Sequence, residues 1–352
     1  MRIRLLLVAC AVLPALVFAA PALAAYKKPR LVVNESSYGK GAPSTVEFVV
    51  ATDKNEDATA KITVYSPRGY GDTLGQPVGT RVGTAIAALL LKSLGGGTPV
   101  VIAGNVTVGS PSDWTTAAVA CTGSATHDEY LVLEATLVGN TIRIPLFVDT
   151  ISAGSEAAFA GAKIQVCFQS PYVDPAAGGA PSGAQLVTAL FTISGVFRNP
   201  SASGFAVWPS LFTPFAPGTA MPNAAGTVES RAVVPIPLSI TFTAKRVGRS
   251  VKLSGRVRVA GKPVRAPIDV YAGPKASNVN KRVATRTSSK TGSFTFTRRA
   301  PKKTTFFQAV FGPLDVTGAG YCASPLTQAP CLSATTSELD SRVVRVAARK
   351  KR

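Results

Sequence analysis

Lysine and arginine side chains are concentrated toward the C-terminal end of this chain. Residues 241–352 contain 23 of its 38 basic residues and four of its 18 acidic residues, a net charge of +19. Residues 25–240 carry a net charge of −1. Like charges at this density repel one another, so a polyanion would relieve the repulsion. The segregation therefore predicts a polyanion-binding region in the last third of the chain.

The expected contact residues lie on one strand face, in one turn and at the end of the chain. In the run Val251–Val259, every second residue shares a face, which separates the cations from the apolar residues. A proline-containing turn is expected around Pro301, and residues 347–352 form a basic tail. The expected polyanion-binding residues are Lys252, Arg256, Arg258, Arg298, Arg299, Lys302, Lys303, Arg349, Lys350, Lys351 and Arg352. The alternative is that these cations only aid solubility and discourage pairing at strand edges.

The expected partner is an anionic cell-envelope polymer or an acidic polysaccharide, and anionic lipid headgroups at a membrane surface are the other candidate. Nucleic acid is not expected, because an exported protein rarely meets it. The aromatic residues of the basic region are also expected in core or edge strands rather than on a base-stacking platform. No cofactor is expected. The sequence indicates no oligomeric state.

Catalytic motifs are scarce. His127 is the single histidine, so any Ser-His-Asp or Cys-His chemistry would depend on it. Its surroundings predict a solvated loop before a strand. The chain has no G-x-S-x-G, H-E-x-x-H or phosphate-binding glycine loop. A glycosidase with two carboxylates needs no histidine and stays open, but the expectation is a non-enzymatic protein.

No metal site is expected. Asp53–Asp57 places oxygen ligands at alternate positions, as a calcium loop does. An EF-hand loop needs glycine at its sixth position and glutamate at its twelfth, which are Ala58 and Val64 here. We expect a polar turn instead. Zinc is also not expected, because C-x-x-C spacing is missing and there is one histidine.

Residues 1–24 have the pattern of a signal peptide. Arg2 and Arg4 precede the apolar stretch Leu5–Phe18, and Ala22–Ala24 is a cleavage motif. The segment ending at Cys10 resembles a lipobox, but only five apolar residues separate Cys10 from Arg4, fewer than the ~7–15 expected. We expect a protein that is secreted, extracellular or associated with the cell envelope.

Four cysteines remain after the signal peptide: Cys121, Cys167, Cys322 and Cys331. An even number in an exported chain predicts disulfides, and four cysteines allow three pairings. The pairing Cys121–Cys167 with Cys322–Cys331 is favoured, because each bond then stays within one expected domain.

Strands must position these residues, because polarity mostly alternates with a period of two. Lys61–Tyr65 and Lys163–Phe168 alternate in this way. Glu129–Val138 and Thr141–Val148 are strand-like runs joined through Gly139-Asn140, a two-residue hairpin signal.

The expected fold class is all-β, with two tandem β-sandwich domains after a cleaved signal peptide. The first domain spans 25–235 and includes an irregular, aromatic-rich segment at 199–227. The second spans 236–346. Ala85–Leu94 stays open between a helix, which its alanine and leucine content favours, and a buried strand.

The second domain resembles a known family. Val251–Val257, Gly261–Val264 and Ile268–Tyr271 precede Thr291–Phe296. Their order is similar to the "SGxV…GxPVxxAxV" strands and "T…GxFxF" hairpin of bacterial Ig-like, transthyretin-like (carboxypeptidase-regulatory-like) modules. The resemblance covers about residues 240–345 and implies a β-sandwich. It implies little about function, because such modules serve as spacers, adhesin stalks, enzyme appendages and sugar binders. Residues 26–235 show no such resemblance.

Two other functions stay open. The first domain could bind or process carbohydrate, with Trp114, Trp208 or Tyr70 stacking on sugar rings; the opposing interpretation places both tryptophans in the core. The chain could also be a structural spacer or an assembly subunit.

Overall fold

The computed structural model of the chain describes residue 26 and residues 29–91, 98–137, 140–173, 183–323 and 326–348. The expected signal peptide, including Cys10, and the basic residues 349–352 lie outside these described residues.

Most of the described elements are β-strands. The first twelve strands are β1 (Arg30–Glu35), β2 (Pro43–Ala51), β3 (Thr59–Pro67), β4 (Gly71–Asp72), β5 (Arg81–Leu90), β6 (Val100–Val108), β7 (Glu129–Leu137), β8 (Asn140–Thr150), β9 (Ala160–Cys167), β10 (Gln185–Arg198), β11 (Gly204–Pro214) and β12 (Val228–Ile236). Helix α1 (Pro111–Thr122) lies between β6 and β7. The later strands are β13 (Leu238–Val247), β14 (Ser250–Val259), β15 (Lys262–Pro263), β16 (Pro267–Gly273), β17 (Lys281–Thr287), β18 (Ser293–Arg299), β19 (Thr305–Phe311), β20 (Cys331–Thr336), β21 (Leu339–Asp340) and β22 (Val344–Val346).

Within the described residues, the first sheet has thirteen strands in the order β1-β2-β10-β5-β6-β7-β8-β9-β3-β11-β12-β20, with β4 paired to β10. It folds over so that its two halves pack face to face. The ring of Phe48 on β2 meets that of Trp208 on β11 at a centroid distance of 5.4 Å. At the edges, the backbone N–H of Leu31 donates to Ser230 Oγ at 3.1 Å. The first region is therefore a sandwich made from one continuous sheet.

The alternating runs in the sequence form the strands that they predict. Lys61–Tyr65 lies in β3 and Lys163–Cys167 in β9. β7 and β8 pair as an antiparallel hairpin, with Leu137 opposite Asn140. The two residues between them lie outside the described part. Most of the open run Ala85–Leu94 is strand β5, so the strand alternative is confirmed.

The composition of the aromatic segment at 199–227 predicts irregular structure, and this prediction is wrong for part of it. Gly204–Pro214 forms strand β11, which lies between β3 and β12. Trp208 and Phe212 on this strand are fully buried. Pro209 lies where β11 pairs with β12 alone, and a one-sided position of this kind tolerates proline. A core strand was therefore not predicted here, because the high proline and glycine content of the segment indicated irregular structure.

Helix α1 was not among the elements expected from the sequence, although its two ends carry the signals of a helix. Pro111 occupies its first turn, where a missing N–H costs nothing. Gly123 ends it with a φ of 81°, a left-handed conformation that glycine adopts easily, and donates its N–H to Val119 O. Ala118 packs against Tyr130 and Phe147 on the outside of the first sheet.

The second region is a sandwich of two smaller sheets. One, the basic sheet, has β14 at its centre, flanked by β13 and β18, with β15 at one end. The other has the order β17-β16-β19-β21, with β22 also paired to β19. Fully buried side chains from both sheets, among them Leu253, Ile268 and Phe307, form the core between them.

Strand β20 links the two regions. It lies beyond the expected boundary at residue 236, yet it pairs in parallel with β12 of the first sheet. The following residues bind β1, since Ser337 Oγ donates to Val33 O at 2.6 Å and Glu338 N donates to Asn34 Oδ1 at 2.8 Å. The first sheet therefore contains a strand from each side of that boundary, and the domain division stays a prediction.

Candidate functional site

The outward face of the basic sheet is cationic and rich in hydroxyl groups. On β14, Lys252, Arg256 and Arg258 are exposed, whereas Val251, Leu253 and Val257 are buried, as the alternation predicts. Lys252 lies directly opposite Lys245 of β13. Arg299, at the end of β18, lies opposite Ser250 on the same face.

Hydroxyl side chains fill the places between these cations. Thr241 and Thr243 on β13 and Thr295 and Thr297 on β18 are exposed, and each lies opposite an outward-facing residue of β14. Directly opposite residues on neighbouring strands have Cβ atoms about 5 Å apart. The face is therefore a continuous surface of donors rather than a single row of charges.

Acidic residues are missing from this sheet. Its four strands, β13, β14, β15 and β18, contain eight lysines and arginines and no aspartate or glutamate. The four acidic residues of the last 112 positions, Asp269, Asp315, Glu338 and Asp340, all lie outside these four strands. Salt bridges within the sheet cannot neutralise the outward cations, so the positive potential of the face persists.

Gly255 allows the inner side of this face to pack. It lies between Phe242 and Phe294, whose rings stack at a centroid distance of 6.1 Å. A Cβ atom at this position would come within 2.0 Å of Thr241 O and 2.5 Å of the Phe294 ring. The glycine of the "SGRV" run therefore makes room for the aromatic pair below the cationic surface.

The four cations expected in one turn lie partly on strand β18 and partly in the loop that follows it. Arg298 and Arg299 are the last two residues of β18, not part of a turn, and so face opposite sides of the sheet. Arg298 is half-buried, and its guanidinium lies 5.4 Å from the Phe307 ring centroid. This is a cation–π contact with a core residue. Lys302 and Lys303 are exposed in the loop between β18 and β19.

A polar cleft of about 340 Å³ adjoins the cationic face. It is lined by Arg265 and Lys290, by serine and threonine side chains of the turn before β18, and by Ser293 and Thr295 of the face itself. Neither Arg265 nor Lys290 is among the residues that the sequence predicts for polyanion binding. Their place beside the cationic face follows only from the pairing of β18 with β14, which brings the turn before β18 next to that face.

His127 is not the solvated loop residue that the sequence predicts, because only 1% of its side chain is exposed. Its Nδ1 lies 2.8 Å from Asp149 Oδ1 and its Nε2 lies 3.0 Å from Thr122 Oγ1. This order of hydroxyl, imidazole and carboxylate is that of a catalytic triad. However, the Thr122 hydroxyl also lies 2.9 Å from Ala118 O, to which it can donate. Neither Thr122 nor His127 lines the polar cleft, so the group is best explained as a buried network that fixes the end of α1.

Two of the three aromatic residues considered for sugar binding are inaccessible. Trp208 is fully buried and Tyr70 is 8% exposed, with their rings in edge contact. The Tyr70 hydroxyl donates to Glu35 Oε1. Burial raises the pKa of Glu35 to about 7, and hydrogen bonds from Tyr70 and Asn199 oppose the shift. Trp114 on α1 is half-buried and remains as the one aromatic candidate of the three.

The suspected calcium loop is a polar turn between β2 and β3. Asp53 Oδ1 accepts the N–H of Asn55 at 2.9 Å. The carbonyl oxygens of Asp53, Lys54 and Glu56 all accept from Gln185 Nε2. Among the described residues, no group of three or more His, Cys, Asp and Glu side chains is arranged to hold a metal ion.

Both expected disulfides are confirmed. Cys121 at the end of α1 bonds to Cys167 on β9, and Cys322 bonds to Cys331 on β20. In the described part of the chain, no helix has the length and apolar character needed to cross a membrane.

Comparison with known proteins finds similar solved structures but no match in sequence. No protein-family model matches the sequence, and no curated protein matches it significantly. Among solved structures, the full-length major pilin SpaD from Corynebacterium diphtheriae is similar over 90% of this chain and 67% of the pilin, at 12% identity and a TM-score of 0.24. The type II cohesin dyad from the adaptor ScaA scaffoldin of Acetivibrio cellulolyticus is similar over 92% of this chain and 100% of its own, at 7% identity and a TM-score of 0.28. Scores this low carry no functional argument.

Proposed function

We propose that this is a non-enzymatic secreted or cell-surface protein that binds an anionic polymer of the cell envelope through the outward face of the basic sheet. The observation that carries the proposal is the composition of that sheet, with eight cations and no acids on four strands. A surface kept cationic to aid solubility does not need to exclude acids from one sheet, because mixed charges serve solubility as well.

The spacing of the cations suits a polymer with repeating negative charges. Arg256 and Arg258 are two residues apart on one strand face, about 7 Å. Lys252 is four residues from Arg256, about 13 Å along the same strand. Hydroxyl groups between them offer hydrogen bonds to ester, carboxylate or sugar oxygens. A poly(glycerol phosphate) or a uronic acid polysaccharide has charges at repeats of this order, and the adjoining cleft would receive one of its anionic groups.

A location outside the cytoplasm is supported by the two disulfides, because such bonds persist in oxidising compartments. The expected signal peptide supports the same location. Because the cations lie on the second region, the first region would remain free when the polymer is bound.

The test compares two full-length triple variants with the same change in net charge. The first replaces Lys252, Arg256 and Arg258 with glutamine. The matched control replaces Lys275, Lys281 and Arg345, which are exposed on the second region but not on the basic sheet. Binding to immobilised poly(glycerol phosphate) and polygalacturonate is measured over a salt series, with vesicles of anionic lipid and duplex DNA as further arms.

The first variant should bind the polymer at least roughly tenfold more weakly at low salt, with a shallower salt dependence, because fewer counterions are released. The control should bind nearly as the natural chain does. Equal losses in both variants would reduce the effect to net charge and overturn the assignment to this face. Tighter binding to vesicles or DNA than to either polymer would contradict the proposed partner.

A further inference from the structure

A large apolar cavity lies between the two halves of the first sheet. Its volume is about 620 Å³, within the range of roughly 300–1,000 Å³ typical of small-molecule sites. Its walls are mainly apolar and come from both halves; they include Phe48, Ile62, Leu89, Ile102, Leu186 and Phe191. Water in such a place would lack polar partners, so the cavity favours an apolar occupant.

Small residues at inward positions create this volume. Ala85 and Ala87 on β5 both line the cavity. Ala87 lies directly opposite Ala189 of β10, which also lines it. Protein interiors normally leave few voids larger than a water molecule. The alanine-rich run that was ambiguous in the sequence therefore shapes a space rather than fills one.

The cavity opens through a gap in the first sheet. β8 pairs with β9 only from Leu146 onward, and in the described residues nothing pairs with the β9-facing edge of β8 before that point. Leu146 and Ile164 line the cavity from the interior, whereas Trp114 and Ala117 line it from α1, which lies outside the sheet. The cavity therefore extends through the gap into the space between the sheet and α1. This end of the cavity is called its mouth.

A cation stands at this mouth. Lys61 lines the cavity, and its Nζ donates to Cys121 O at 3.0 Å. An ammonium group has three donors, and among the described residues no carboxylate oxygen lies within 4.0 Å of this one. Burial lowers the pKa of Lys61 and nearby Lys163 lowers it further, with Glu156 acting in the opposite direction. An anionic group at the mouth would stabilise the charged form.

We propose that this cavity binds a single-chain amphiphile, with its hydrocarbon chain between the two halves of the first sheet and its anionic head beside Lys61. Arg143 also lines the cavity, but its Nε donates to Glu134 Oε2 at 2.8 Å, so the head group is assigned to Lys61 alone. A free fatty acid and a lysophospholipid share this chemistry. The site is separate from the proposed polymer-binding face, and neither depends on the other.

The first experiment measures binding of cis-parinaric acid to the full-length protein by its fluorescence. Dodecanoate, lysophosphatidylglycerol, 1-dodecanol and dodecyltrimethylammonium then compete for the site. We expect saturable binding at one site, with little change between low and molar salt. Both anionic competitors should displace the probe better than the cation, and the better of the two indicates the source of the natural ligand.

Variants locate the site. Ala87→Phe fills the cavity and should weaken binding about tenfold or more, and Ala189→Leu serves if Ala87→Phe does not fold. The matched control, Ala103→Phe, adds the same ring on the exposed face of β6 and should have no effect. Lys61→Met should weaken dodecanoate binding about tenfold and leave 1-dodecanol unchanged, whereas Lys163→Met, near Lys61 but not lining the cavity, should do neither.

Failure of saturable binding, or unchanged affinity in a folded Ala87→Phe or Ala189→Leu protein, would overturn the site. Equal effects of Lys61→Met on the acid and the alcohol would overturn the placement of the head group. The glutamine triple variant of Lys252, Arg256 and Arg258 should bind cis-parinaric acid normally. Loss of amphiphile binding and loss of polymer binding are therefore distinguishable.

Discussion

The two proposed binding sites lie in opposite places, one inside the first region and one on the surface of the second. The first region is nearly neutral and keeps its distinctive feature inside, as an apolar cavity of about 620 Å³. The second carries most of the net charge and presents it on the outside, above a core that contains the stacked rings of Phe242 and Phe294. Charge on a solvated face and a void in a core depend on different interactions, so a change in one should leave the other intact. The predictions below test that independence.

The largest effect is expected at the core of the first region. Trp208→Ala removes a fully buried ring in edge contact with Phe48, Tyr70 and Phe197. Loss of an aromatic side chain from a core costs about 3–5 kcal/mol, measured here as the free energy of unfolding in urea. Phe205→Ala on the same strand, where the side chain is half exposed, is the control. A similar loss in both would contradict the placement of Trp208.

The two disulfides should differ in their contributions. Cys121–Cys167 closes a separation of 46 residues and Cys322–Cys331 one of nine. Loop-closure entropy then predicts losses of about 4 and about 2.5 kcal/mol when each pair is replaced by alanine. Thermal unfolding of the two double variants measures the difference. The reverse order would show that the bond on β20 holds the two regions together more strongly than chain entropy accounts for.

Glu35 should make the stability of the first region depend on pH. Its pKa is raised from 4.5 to about 7 in the folded protein, mainly by burial. Between these two values the unfolded chain is ionised while the folded chain keeps its proton, so stability should fall as pH rises, by about 3 kcal/mol in all. Glu35→Gln should flatten that fall, as seen in urea unfolding from pH 4 to 8. A slope unchanged by the substitution would assign the pH dependence to another group.

The smallest effect on stability is expected on the cationic face. Replacing Lys252, Arg256 and Arg258 with glutamine should change the free energy of unfolding by no more than about 0.5 kcal/mol, because the three side chains are exposed. At low salt the change should be a gain, because repulsion is relieved, and the gain should vanish at high salt. A large loss would show that these cations hold the sheet together rather than serve a partner.

Alternation of polarity predicted much of the framework. The period-two runs became β3, β7, β8 and β9, and the faces of β14 are as expected. These elements are predictable because each strand's pattern is local and one face of each is buried. Disulfide pairing was also correct.

The remaining features depend on long-range register. The pattern of Val251–Val259 could not show that Lys245, Thr295 and Arg299 would extend its cationic face, because pairing is not written in either strand alone. The cavity could not be predicted from the sequence for the same reason, because Ala87 and Ala189 lie opposite each other only in the folded sheet. Helix α1 was different: Pro111 at its start and Gly123 at its end are local signals that a search for helix ends would find.

Strand β20 has a consequence for how the protein is made. Its partners on β12 lie about a hundred residues earlier, and Ser337 and Glu338 bond to β1 across 304 positions. Contacts between such distant residues form slowly, because the intervening chain must be ordered first. During synthesis or export from the N-terminal end, the first sheet would expose the unpaired edge of β12 until residue 336 emerges. A chain that ends before β20 should therefore keep the edge of β12 unpaired. An unpaired strand edge of this kind promotes aggregation and is a binding site for chaperones.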